Sequence, residues 1–167
     1  MQSAKYQMPK LTRFPDWTDR LQTYLDRVRD DPFKWGEHDC VLFANGAVQT
    51  ITGHDFVSEV AGTYGSLREA AQWLRSNGHT SLVDAVCSKL GEPIHPAQAG
   101  RGDIVMRRTG NGNALGVAVS HGFAWFVGEE IKTYVDGEPL TRRGLIFFPT
   151  LTCDRAWKIA PVEADHG

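Results

Sequence analysis

FKWGEHDCVLFANGAVQTITG, residues 33–53, sets an acid and a thiol side by side, Asp39 and Cys40, where a loop turns into a helix. From Cys40 onward, Phe43, Ala44, Ala47, Val48 and Ile51 recur at helical spacing, and Gly53 supplies the left-handed stop. Asp39 is placed as the structural cap, its carboxylate turned onto the N–H groups of the first turn. Cys40 then opens the buried face of the helix. There the unpaired N–H groups and the positive end of the macrodipole favour a thiolate. Two readings of Cys40 stand side by side: a nucleophile, or a small apolar residue packed at a helix start.

Working outward, helical patterns flank this segment. Trp17, Leu21, Leu25 and Val28 fall on one stripe, with Asp16 as the expected cap and RDDPF, residues 29–33, as the stop. SLRE, residues 66–69, matches a capping box and predicts a helix closed by Asn77 and Gly78; SLVD, residues 81–84, predicts another that ends at Gly91. A proline- and glycine-rich connector follows over residues 91–102. Beyond it DIVMR (103–107), ALGVAVS (114–120), FAWFVG (123–128), GLIFFP (144–149) and RAWKIA (155–160) carry the β-branched and aromatic content of strands. Helices first and strands second predict an α+β fold: N-terminal helices packed on one face of a mostly antiparallel sheet. The expected organisation is an N-terminal helical segment, 1–32, packed on a main domain, 33–160, with a flexible tail, 161–167.

Composition narrows the function. The chain has 167 residues, of which 41% are hydrophobic and 23% charged, which suits one globular domain. A net charge of −2 without a basic block argues against nucleic acid as a partner. No apolar run approaches the roughly 20 residues that span a bilayer, and MQSAKYQMPKLTRFP at the start lacks the apolar centre of a signal peptide, so no membrane insertion is expected. Cys40, Cys87 and Cys153 lie far apart, without metal-pair spacing; Cys87 and Cys153 read as small core residues. Neither a metal nor another cofactor is expected.

A nucleophilic thiol needs an imidazole within hydrogen-bond reach. His38 precedes Cys40 and would point elsewhere, His54 lies a helix length away, His79 and His95 fall in connectors, and His166 is in the tail. His121, in the SHG turn between two strands, is the candidate catalytic partner of Cys40; the alternative is a solvated turn histidine.

The order of motifs, WGEHDCVLFANGAV, then GRGDIV, then ALGVAV, then RAWKI, resembles the NlpC-type cell-wall peptidases, papain-like cysteine hydrolases. The likeness is greater to the NlpC-like proteins carried at phage tail tips, and it runs from residue 33 to 159. The resemblance implies that Cys40 matches the family nucleophile and that Asp103 is structural. It also implies that the catalytic histidine belongs two residues ahead of Gly116, where this chain has Ala114. Without an imidazole a thiol forgoes general acid–base assistance, typically worth ~10²–10⁴-fold. The implied function is a virion component of the distal tail, made in the host cytoplasm, with tail-tip or hub proteins as partners. Its peptidase groove would be disabled or reused for docking. The alternative is an active cysteine endopeptidase that cleaves peptidoglycan during genome entry.

Overall fold

The computed structural model describes residues 10–110, 112–119 and 122–160. The tail expected over 161–167 and His121 therefore lie outside the described residues. Helices α1 (Trp17–Val28), α2 (Cys40–Thr52), α3 (Leu67–Ser76) and α4 (Leu82–Leu90) precede strands β1 (Ile104–Thr109), β2 (Gly112–Ala118), β3 (Phe123–Val135), β4 (Glu138–Pro149) and β5 (Arg155–Trp157). The strands form one antiparallel sheet in the order β4-β3-β2-β1-β5. The α+β class expected from the order of patterns is the class found.

The main core lies between helices and sheet. Leu21 and Leu25 of α1, Phe43, Ala47 and Ile51 of α2, Val86 and Leu90 of α4, and Ile104, Met106, Leu115, Val117 and Trp157 of the sheet pack together. A smaller cluster on the opposite sheet face joins Val105, Ala118, Phe126, Cys153 and Ala156 under Ile94, Ala99 and Phe148. The alternation along β1 and β2 follows from the two-residue period of a strand buried on both faces.

Helices α1 and α2 cross where α2 has no side chain. The Tyr24 ring lies against Gly46, at a spot a Cβ would occupy, and its hydroxyl donates to Phe43 O at 2.8 Å. Burial raises the Tyr24 pKa above the usual phenol range.

Two local readings need correction. Asp16 stands at the N-cap of α1 but makes no side-chain capping bond; its Oδ1 accepts from Arg20 Nε at 2.7 Å, so the exposed ion pair displaces the cap. The strands expected to stop at Gly128 and start at Gly144 continue into a long hairpin. Asp136 and Gly137, at φ 52° and 78°, form its turn, with Val135 paired to Glu138. Positive φ at both central residues is the turn that suits strand twist, and Asp-Gly is its usual sequence. A register shift between Gly128 and Ile131 separates the hairpin arm from the part over the core.

Asp103, at the entry to β1, is fully buried and ties distant parts of the chain together. Its Oδ1 accepts from Arg13 Nη2 at 3.1 Å and Ile159 N at 3.0 Å, and its Oδ2 from Gly100 N at 2.8 Å and Lys158 Nζ at 3.0 Å. Arg13 also donates to the carbonyls of Ile159, Ala160 and Arg101 and lies over the Trp17 ring. Burial pulls the Arg13 pKa down and the Asp103 charge opposes the shift. The carboxylate thus meets donors from the N-terminal segment, the connector and the residues just after β5.

Candidate functional site

Asp39 holds the start of α2 rigidly. Its Oδ1 accepts from Leu42 N at 3.0 Å, and its Oδ2 accepts from Gly36 N at 2.9 Å and from the Tyr64 hydroxyl at 2.7 Å. The residue is 1% exposed, and these donors compensate a charge that would be costly to bury alone. Tyr64 comes from the loop before α3. Burial, with the bond to Asp39, raises its pKa above the usual range. Nothing periodic in AGTYGS marks Tyr64 as a partner of Asp39, so sequence reasoning missed it.

Cys40 follows at the first turn of α2. The residue is partly exposed and lines a cleft between the helices and the sheet. Burial pushes the thiol up to about 11; the Leu115 backbone and the helix N–H groups of Cys40 and Val41 pull it down, and the Asp39 charge adds to the rise. The expected helix-start activation is present but smaller than the cost of desolvating a thiolate.

The strand opposite decides what faces the sulfur. Leu115 enters the main core with Cys40, whereas Ala114 packs in the cluster on the other sheet face. Asn113 and Leu115 line the cleft that contains Cys40, and Ala114 does not. An imidazole at position 114 would therefore project away from the thiol, because neighbouring strand positions alternate between faces. The β2 side chains that line the cleft are an amide, Asn113, and an aliphatic group, Leu115.

The described histidines are occupied elsewhere. His38 lines a separate cavity with Tyr24, Asp31 and Leu42, packs edge-on to Phe43, and has its pKa lowered by burial. His54 leans on Phe56, and His95 Nδ1 accepts from Ala97 N at 3.1 Å. His79, read from sequence as a connector residue, lines the same cleft as Cys40; its ring stacks on Trp73 and its Nδ1 lies 3.5 Å from Asp84 Oδ2. No hydrogen bond joins Cys40 to a histidine among the described residues. Among the same residues no group of three His, Cys, Asp or Glu side chains could hold a metal, and no helix is long and apolar enough to cross a membrane.

The cleft runs between α2, α3, α4 and the β1–β2 end of the sheet, with a volume of about 340 Å³. Its walls are largely aliphatic and aromatic. Cys87 and Cys153 lie outside its lining, and both are buried with raised pKa values, chiefly through desolvation.

A family model described as "Domain of unknown function (DUF6950)" matches residues 12–159. Among solved structures, the chain is similar to the NlpC/p60 domain of the peptidoglycan hydrolase SagA at 14% identity and a TM-score of 0.46, over 84% of this chain and 97% of that one. No curated protein matches the chain.

Proposed function

The chain belongs to the family described as a domain of unknown function, DUF6950, and we propose that it is a non-catalytic, NlpC-like structural component of a phage tail tip. In this reading it is made in the host cytoplasm, assembles into the distal tail and contacts hub proteins there. The phage and tail-tip part draws on the order of the sequence motifs alone. The loss of catalysis draws on the Cys40 thiol, which burial pushes up to about 11, and on β2, whose side chains in the shared cleft are Asn113 and Leu115. At neutral pH such a thiol is protonated, and among the described residues no histidine hydrogen-bonds it to change that.

The test uses purified peptidoglycan and the full chain. The expected result is no release of stem-peptide fragments, and Cys40→Ala particles that assemble normal tails with unchanged infectivity. Fragment release by the native protein that disappears in Cys40→Ala would overturn the reading.

A second reading, a cysteine endopeptidase acting on peptidoglycan, is favoured by His79, which shares the cleft with Cys40 and is oriented by Asp84. It requires the imidazole to leave Trp73 and reach the sulfur. Under that reading His79→Ala removes fragment release as fully as Cys40→Ala.

A further inference from the structure

Helix α3 has a strongly apolar stripe, yet none of its residues is buried, and Leu67 at its start is 48% exposed. Ala70, Ala71 and Leu74 of that stripe face the cleft, opposite Ala44 and Val48 of α2 and beside Val86 of α4. Two apolar helix faces thus stand across a space instead of closing it, although a helix of this kind ordinarily gains its stability by burying such a stripe.

The polar groups of the lining restrict the occupant. Asp39 is saturated by Gly36, Leu42 and Tyr64, and His79 is engaged by Trp73 and Asp84. Lys89, in the last turn of α4, also lines the cleft; its side chain is exposed and makes no ion pair or hydrogen bond among the described residues. Asn45 is bonded to Asp55 and Phe56 N, so apart from the Asn113 amide an extended peptide would bring backbone N–H and C=O groups against walls that offer them few partners. A helix, about 10 Å across, is too thick to enter a space of 340 Å³ except by its side chains. An alkyl chain has no polar groups to satisfy. If a methylene takes about the ~30 Å³ of a liquid water molecule, the cleft has room for roughly a dozen carbons.

We propose that this cleft is a binding site for a single-chain fatty carboxylate of roughly twelve carbons, its tail between α2 and α3 and its head group at Lys89. The site is independent of the non-catalytic reading, since binding requires neither the presence nor the absence of peptidase chemistry.

The experiment titrates the full-length protein with dodecanoate below its micelle concentration and follows the fluorescence of Trp35 and Trp73, which line the cleft. Saturable one-to-one binding is expected, and affinity should rise roughly fourfold per added methylene until the cleft is filled. Ala71→Trp, which fills the space, should abolish binding of both dodecanoate and dodecanol. Lys89→Gln should weaken dodecanoate about two- to fivefold and leave dodecanol unchanged. If the Ala71 variant does not fold, Val57→Trp supplies the same obstruction from the loop before α3. Absence of saturable binding, binding that survives both tryptophan variants, or dodecylammonium binding as tightly as dodecanoate would each overturn the proposal. None of these outcomes bears on fragment release from peptidoglycan, so failure here and failure of the proposed function are separately visible.

Discussion

Asp103 and Cys40 are the two polar centres that most repay comparison. Both stand at the entry to a regular element and both are followed by an apolar run, but Asp103 is fully buried and Cys40 is partly exposed in a cleft. Asp103 gathers an arginine, a lysine and backbone N–H donors around its oxygens. Cys40 meets the backbone groups of Leu115, Cys40 and Val41 and the Asp39 charge, and its thiol is pushed up to about 11. A buried charge persists where every lone pair finds a donor; a buried thiol without a proton acceptor stays neutral. Asp103 therefore serves as a structural anchor, whereas the Cys40 thiol is held protonated by the cost of desolvating its thiolate.

The largest effect is expected from breaking the anchor. Asp103→Ala leaves the nearly buried Arg13 uncompensated and should cost about 3–5 kcal/mol in chemical denaturation; Lys158, with 37% of its side chain exposed, adds little to that sum. An effect below about 1 kcal/mol would mean that the donors around Asp103 do not act as a unit. Next comes the cap beside the thiol. Tyr64→Phe removes a hydroxyl from the buried Asp39 carboxylate and should cost about 1.5–3 kcal/mol, as read by urea denaturation.

The comparison sharpens if Cys40 is given what Asp103 already has, a partner. Asn113→His places an imidazole on the cleft side of β2 and should lower the midpoint of Cys40 alkylation from its position near 11, while Ala114→His, on the other sheet face, should leave it unmoved. Equal shifts in both variants would refute the assigned facing of β2. In the native protein, Cys40 should alkylate at pH 7.4 roughly 100-fold more slowly than an unperturbed thiol, measured by mass spectrometry of the labelled peptide.

The smallest effect concerns alkaline stability. Because the folded-state pKa of Cys40 is raised, the unfolded chain loses this proton first. The associated stability is complete below the ordinary thiol value and is lost as pH rises through about 11. Cys40→Ala should flatten that alkaline decline slightly and change stability at pH 7 by under about 1 kcal/mol. Thermal unfolding between pH 8 and 11 reads both.

Much of the architecture could be read from local pattern. The stripe of α2, the serine caps of α3 and α4, and the β-branched runs of the sheet are short-range signals, and each element lies close to where they placed it. The hairpin arm was not read from the sequence: Asp136-Gly137 is a turn signal, but the residues beside it carry too little apolar alternation to mark strands. The partners of the polar centres were not legible. Arg13 and Asp103 are ninety positions apart, Tyr64 and Asp39 twenty-five, and no periodicity links such pairs. The resemblance implied a missing histidine at Ala114, and the facing of β2 puts Asn113 and Leu115, not position 114, in the cleft that Cys40 lines.

The sequence by itself determined that this chain folds helices onto an antiparallel sheet, and that Cys40 begins a capped helix, because spacing and capping act over a few residues. Only the tertiary structure decided which side of β2 the sulfur meets, that its enclosure outweighs the helix start, and that α3 stands off from α2 across an open cleft. Desolvation and side-chain facing depend on groups that the chain brings together from far apart, and no local pattern encodes them.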